Sequence, residues 1–376
     1  MRGWLAVGLA VSMAAAQATP VHEYRLENGL KVLVKEDHRA PVMVSQVWYK
    51  VGSSYEVDGI TGISHVLEHM MFKGTDKHPA GEFSRIISEN GGSENAFTAQ
   101  DYTAYFQTME KSRLPVSFAL EADRMRKLII PEDEFLKEVQ VVMEERRMRT
   151  EDNPQSLTYE QFSAMAWASS PYRTPIIGWM DDLENLAVAD LRDWYRKWYG
   201  PDNATLVVVG DVDPEEVYRQ AQKYFGPLQA SKVVAPKPRL ETAQRGMKRI
   251  EVKAPAKLPY LLMGYKVPVV RTAELPWEPY ALAVLAGVLD GGMAARLESQ
   301  LVRGGEVAAS AGASYDEYDR LDSLFLLSGT PATGHSMEDL EKAFLDQIRK
   351  LQDEPVSSAE MNRVVAQLSA EKVYEQ

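Results

Sequence analysis

The chain has no cysteine, so thiolate metal sites, cysteine nucleophiles and disulfide staples are all excluded. It has no block of basic residues to supply phosphate contacts, and with a formal net charge of −12 this argues against a nucleic-acid role. Long apolar runs are absent after the N-terminus, so no later segment reads as a membrane span. Histidine is scarce, with six in 376 residues, and two of the six fall four residues apart. At 45% hydrophobic and 26% charged the composition is that of an ordinary globular protein, with length enough for two domains.

The N-terminus reads as an export signal. Arg2 precedes an apolar run from Trp4 to Ala16, and the small residues Ala14-Ala15-Ala16 and Ala16-Gln17-Ala18 supply cleavage sites. The run is too short for a stable span of about 20 residues. Residues 1–18 are therefore expected to be removed, with the mature chain beginning near Gln17 or Thr19. The expected location is across the inner membrane, in the periplasm, with no membrane insertion after cleavage.

His22–Lys35 reads as a hairpin about Asn28-Gly29, and Val42–Val51 as a third strand. Helices are expected over Pro79–Asn90, Lys111–Lys127, Pro131–Arg149, Leu157–Ala168 and Ala189–Tyr199, with a hairpin at Ser93–Met109 and a strand at Thr205–Val209. Asp213-Pro214-Glu215-Glu216 is a helix start, with a cap, a proline at the first helical position and acids in the first turn. The prolines and scattered lysines between Gly226 and Met247 read as a linker. Strands at Met247–Val252 and Pro259–Val267, a helix over Trp277–Asp290, strands at Ala308–Tyr315 and Ser323–Thr330 and a helix over Ser336–Gln352 then repeat the earlier order, ahead of a last helical stretch at Ser357–Gln376. A diverged duplication follows, with boundaries at 19–228 for a first domain, 229–246 for the linker and 247–376 for a second domain. The second copy carries YALAVLAGVLD where the first carries histidines, so chemistry belongs to the first.

That chemistry centres on Gly62–Gly74, GISHVLEHMMFKG. His65, Glu68 and His69 fall on one helical face, and Ile63, Val66, Leu67, Met70, Met71 and Phe72 make the helix apolar nearly all round. Buried imidazoles and a buried carboxylate need partners, and a metal satisfies all three. The pattern H-x-x-E-H supplies two ligands and a proton acceptor for a metal-bound water. A third ligand has to come from elsewhere. His22, His38, His78 and His335 fall at turns, loops or strand edges and read as surface residues. On the Pro131–Arg149 helix, Glu138 and Glu145 share a face with Phe135 and Val142, and either carboxylate could serve; Glu144, Arg146 and Arg147 read as a solvated face.

HVLEH, GGSENAFTAQDYTAYF, KEVQVVMEERRM, PYRTPIIGWMDDLENL and WYGPDNATLVVVGDVDP together resemble the inverted-motif zinc metallopeptidases. These are the pitrilysin, insulin-degrading enzyme and mitochondrial processing peptidase family, and the resemblance is greatest to its short bacterial secreted members. The resemblance implies an α+β fold of two similar domains, each an antiparallel sheet backed by helices, closing on a peptide substrate. It implies one Zn2+ per chain, held by His65, His69 and Glu145, with Glu68 as the general base and Glu138 orienting a ligand histidine. It also implies that Asn95 and Ala96 border a peptide added to a sheet edge, and that Arg303 binds substrate from the second domain. The family tyrosine that accompanies this arginine is replaced by Ala309, and Tyr315 lies too far along to substitute. The C-terminus also falls short of the family's usual last strand and helix. Both departures point to a homodimer, or to a heterodimer with a metal-free homologue bearing the arginine–tyrosine pair. The alternative is a metal-binding but proteolytically silent, peptide-binding subunit.

Overall fold

A computed structural model describes residues 20–234, 236–237 and 239–374, so the expected signal at residues 1–18 lies outside the described residues. The chain opens with the hairpin β1 (Val21–Arg25) and β2 (Lys31–Glu36), turned by Gly29 at φ +95°, and continues into β3 (Val42–Tyr49). Helices α1 (Ile63–Met70) and α2 (Glu82–Glu89) precede a second hairpin, β4 (Ser93–Thr98) and β5 (Thr103–Glu110). A helical excursion follows: α3 (Leu114–Lys127), α4 (Glu132–Arg146), α5 (Pro154–Ala166), α6 (Met180–Asn185) and α7 (Val188–Trp198). Then come β6 (Ala204–Gly210) and α8 (Pro214–Phe225), the latter capped by Asp213 Oδ1 on the Glu216 N–H.

These strands form one sheet in the order β1-β2-β6-β3-β5-β4. Alternation decides which face is covered: Met43, Ser45, Val47 and Tyr49 of β3 and Leu206 and Val208 of β6 are fully buried. Against them pack Ile63, Val66, Leu67 and Met70 of α1, Phe118 of α3 and Phe225 of α8. The expected antiparallel sheet carries one parallel pair, β2 with β6. The roughly ninety-residue excursion between β5 and β6 frees β6 from hairpin geometry, so it can return in either direction.

The second domain is built from β7 (Leu261–Val267), α9 (Glu278–Leu289), β8 (Ala308–Ser314), β9 (Ser323–Pro331), α10 (Met337–Asp353) and α11 (Ser358–Tyr374). Its sheet, β7-β9-β8, repeats the β3-β5-β4 half of the first, antiparallel at both pairings, and α9 follows β7 as α1 follows β3. Leu289 of α9 joins Phe325, Leu327, Leu340 and Phe344 in a separate core. The strand expected at Met247–Val252 is not formed. In the first sheet β6 stands between β2 and β3; among the described residues the second sheet has no strand in that place, so Met247–Val252 has no ladder to join.

Residues 229–260 carry no helix or strand among those described, a stretch longer than the expected linker at 229–246, yet the segment is pinned. The Glu241 carboxylate accepts from the backbone N–H groups of Ala168, Ser169 and Ser170 at 2.8–3.1 Å and from Lys266 Nζ of β7 at 2.6 Å. Burial opposes its ionisation, but Lys266 and the three amides prevail and hold the carboxyl at about 2. One side chain thus ties the linker to the end of α5 and to the second sheet. Glu241→Ala leaves these donors unpaired, at a cost of about 1–3 kcal/mol. Limited trypsin digestion is expected to cut the variant at Arg239, Arg245 or Lys248 well before wild type; equal cutting rates would show that the carboxylate pins nothing.

Candidate metal centre

The helix that carries the motif is seated by its N-terminus. Gly62, at φ +84°, precedes α1 with no side chain to cap it, and a Cβ there would stand 2.6 Å from the Ile177 carbonyl oxygen. The loop pressed against it is Ile177–Trp179, and Gly178 answers at φ +83° with no room for a Cβ against Thr61 and Gly62. Capping comes from a distance: Glu56 Oε2 and Oε1 accept from the N–H groups of Gly62 and Ser64 at 2.7 and 2.9 Å. Burial pushes the Glu56 carboxyl up to about 7 against these two bonds. Asp182 Oδ2 accepts from the Gly59 and Thr61 amides and the Thr61 hydroxyl. Arg146 locks the same loop. Its guanidinium donates to both Glu160 oxygens at 2.7 and 2.9 Å and to the Gly178 carbonyl at 2.8 Å. The solvated face expected for Arg146 is therefore corrected: the residue is 4% exposed, because α5 and the 177–179 loop cover that side of α4.

On α1, His65 is buried and His69 partly so. His65 Nε2 lies 3.8 Å and His69 Nε2 3.5 Å from Glu145 Oε2 on α4. The three ligand atoms fall within 4.8 Å of one another. Atoms about 2.0–2.1 Å from a tetrahedral ion stand about 3.4 Å apart, so the spacing fits one metal ion with a coordination position to spare. His69 Nδ1 lies 3.1 Å from Glu138 Oε2, which fixes the ring so that Nε2 turns toward Glu145. The other oxygen of each carboxylate meets a cation, Glu138 Oε1 at 2.5 Å from Lys73 Nζ and Glu145 Oε1 at 2.5 Å from Arg149 Nη1. Burial, then the neighbouring His69 and Arg149, push His65 down to about 3, which keeps it in the neutral form that ligates. Of the two candidate carboxylates, Glu145 faces both imidazoles and Glu138 stands behind one.

Glu68 lies beside this group, its carboxyl raised by burial and partly relieved by a hydrogen bond from Thr98 Oγ1 to Oε2 at 2.5 Å. Thr98 ends β4, the open edge of the first sheet. Asn95 and Ala96 lie on that same strand; Asn95 is exposed and its Oδ1 accepts from the Ala96 N–H at 2.9 Å. That N–H therefore faces the open edge rather than β5. In the second domain Arg303 bonds within its own neighbourhood, to the Met293 carbonyl and to Glu298 Oε1. Ala309 falls at the irregularity in the β8–β9 register, and the Tyr315 hydroxyl donates to the Pro268 carbonyl at 2.6 Å, so it is engaged in the second domain's own packing. Among the described residues His22, His38, His78 and His335 lie outside the metal group; His38 and His335 are exposed, whereas His22 and His78 are half-buried, the latter with Nδ1 3.7 Å from Glu82 Oε2.

Sequence reasoning missed Thr98, Lys73 and Arg149. Arg149 lies four residues from its partner Glu145 along a continuous helical stretch, a spacing that could have found it, whereas Lys73 meets Glu138 of another helix and no local spacing marks that pair. No local signal marks Thr98, whose contact with Glu68 spans 30 residues and depends on how β4 passes α1.

Residues 31–179 match the sequence model described as insulinase (peptidase family M16), and residues 185–368 that described as peptidase M16 inactive domain. The chain is 35% identical to the zinc protease PqqE of Helicobacter pylori over 96% of its own length and 81% of that protein's. A solved protease from Helicobacter pylori has a TM-score of 0.89 at 33% identity, covering 95% of this chain and 86% of that one. The periplasmic protease PqqL from Escherichia coli shares the fold, with a TM-score of 0.76 at 22% identity over 93% of this chain and 40% of that one.

Removing a ligand and removing its support should differ. His65→Ala and Glu145→Ala are expected to purify without stoichiometric metal, whereas Glu138→Gln keeps it with affinity lowered about 10- to 100-fold. Metal analysis combined with chelator competition checks both, and full loss of metal in Glu138→Gln would place that carboxylate among the ligands instead.

Proposed function

The chain belongs to the insulinase family of M16 peptidases, and on that premise we propose that it is a zinc-dependent endopeptidase. It acts on peptides or unfolded polypeptides held in a cleft at the β4 edge. One observation carries the reading: two imidazole Nε2 atoms and a Glu145 oxygen converge beside the Glu68 carboxylate on a buried helix. The sequence and the relatives named zinc proteases support zinc as the ion, with His65, His69 and Glu145 holding it. Bound there, zinc would acidify a water and polarise the scissile carbonyl.

The protein's own groups supply the rest. Glu68 accepts the water proton on Oε1, since Thr98 occupies Oε2, and returns it to the leaving amine. Burial raises the Glu68 carboxyl, which strengthens it as a base near neutral pH. Glu138 keeps His69 oriented throughout. The substrate lies along β4 as an added strand, its carbonyl replacing Asn95 Oδ1 on the Ala96 N–H. Arg303 is the substrate-binding arginine of the second domain in this reading, and it would have to leave Glu298 and Met293 to reach a peptide.

The domain boundaries at 19–228 and 247–376 and the periplasmic location are part of the same proposal. The N-terminal sequence supports export, and no helix among the described residues is long and apolar enough to cross a membrane. A second reading has its own observation. With Ala309 in the tyrosine position and Tyr315 bonded to Pro268, the oxyanion groups would come from a partner chain, a second copy or a metal-free homologue. Alone, the chain would then bind metal and peptide without cleaving.

Glu68→Gln is expected to retain wild-type zinc and lose turnover of an unstructured peptide by about 10²- to 10⁴-fold. Metal analysis and a fluorogenic peptide assay read both. A wild type that holds zinc yet cleaves nothing, alone or with a homologous partner, would refute the peptidase reading.

A further inference from the structure

We infer that Thr98 is a positioning residue for the Glu68 base, and that Arg320 of the second domain sets Thr98 in place through the β4–β5 turn. This rests on the peptidase reading for its catalytic half and on geometry alone for its mechanical half. The Thr98 hydroxyl has one proton to give, and it gives it to Glu68 Oε2 at 2.5 Å. A carboxylate at the end of a flexible side chain could otherwise rotate either oxygen toward the water. Held at Oε2 by a β-branched residue with few rotamers, it presents Oε1.

Thr98 pairs with Thr103 at the mouth of the turn, three residues from Asp101. That turn is clamped from outside. The Ala99 and Gln100 carbonyls accept from the Ser53 and Ser54 amides at 3.2 and 2.8 Å, and Gly52 permits the approach, since a Cβ there would stand 2.2 Å from the Ala99 oxygen. Asp101 is the hub: Oδ1 accepts from Ser54 Oγ at 2.6 Å and from Arg320 Nε at 2.8 Å, and Oδ2 accepts from the Tyr172 hydroxyl at 2.5 Å. Arg320 Nη2 donates to Ser54 Oγ at 2.8 Å, and the Arg320 and Leu321 amides donate to the Tyr172 oxygen at 3.0 and 3.2 Å. The guanidinium lies over the Tyr55 ring at 4.5 Å. Arg320 and Asp101 are both largely shielded, at 22% and 14% side-chain exposure, so the pair is not an ordinary solvated surface bridge. Beside it Leu321 and Leu324 of the second domain pack with Phe162, Trp167 and Tyr172 of the first.

Docking of the second domain therefore fixes the turn, the turn fixes the end of β4, and β4 carries the hydroxyl that bonds the base. The second domain would act on the first by this route, without reaching the metal.

The test uses the full zinc-loaded chain. Thr98→Val, which keeps shape and removes the hydroxyl, is expected to lower kcat about 10- to 100-fold with KM and zinc content unchanged, and Thr98→Ser to recover most of it. Arg320→Met should lower kcat in the same sense and speed amide hydrogen exchange across Ala99–Thr103, leaving the His65–Met70 helix protected. Wild-type kcat in Thr98→Val, or failure of Thr98→Ser to recover, overturns the role of the hydroxyl. Unchanged exchange across Ala99–Thr103 in Arg320→Met overturns the route through Arg320. A wild type with bound zinc and no turnover counts against the peptidase reading instead, and the exchange measurement still decides the mechanical half.

Discussion

The imidazole of His69 is held between two carboxylates of a single helix, and the rest of the centre depends on that clamp. Glu138 and Glu145 stand two turns apart on α4, about 10 Å along its axis, and reach in from either side to Nδ1 and Nε2 of one ring. Only a helix laid close along α1 at this height can do so, and only then does Glu145 also meet His65 one turn away. Two partly buried carboxylates so close together would repel. Lys73 and Arg149 on their outer oxygens offset the charge, leaving the inner oxygens to face the two imidazoles.

Holding α1 at that height falls to groups far from the chemistry. Gly62 and Gly178 let two backbones touch where a methyl group would part them, and Glu56 and Asp182 take up the amides exposed at the start of the helix. Arg146 completes the circuit from α4 through the Gly178 carbonyl back to the N-terminus of α1. The two ligand-bearing helices are thus braced against each other by a loop of the segment PYRTPIIGWMDDLENL, which gives that stretch a mechanical reason for its glycine and its acids. The second domain repeats the core of the first, and α9 has no histidine where α1 has two. It meets the first domain through Arg320 and the apolar cluster around Leu321.

Much of this was legible before any coordinates. Apart from the short helix α6, which no sequence signal marked, the strands and helices of the first domain fall within a few residues of where turn signals and periodicity put them, because each is decided by neighbours in sequence. His65, Glu68 and His69 could be read as one face from spacing alone, and the pair Glu138 and Glu145 could be narrowed to a shared face. Choosing between those two needed either the family resemblance or the structure. The failures share a cause. Arg146 read as solvated because helical periodicity says which residues share a face but not what covers it. Met247–Val252 read as a strand because it is β-like in composition, and composition does not supply a ladder partner.

The sequence by itself determined that His65, Glu68 and His69 share one face of α1, that this helix is apolar around them and that the second copy has no counterpart, since these follow from residue type and the 3.6-residue repeat. Tertiary structure alone decided that β6 returns parallel to β2, that Thr98 meets Glu68, and that Arg320 reaches Asp101 from 219 residues away. The physical reason is the same in each case. A hydrogen bond between distant segments depends on the path of everything between them, and no local pattern of side chains encodes that path.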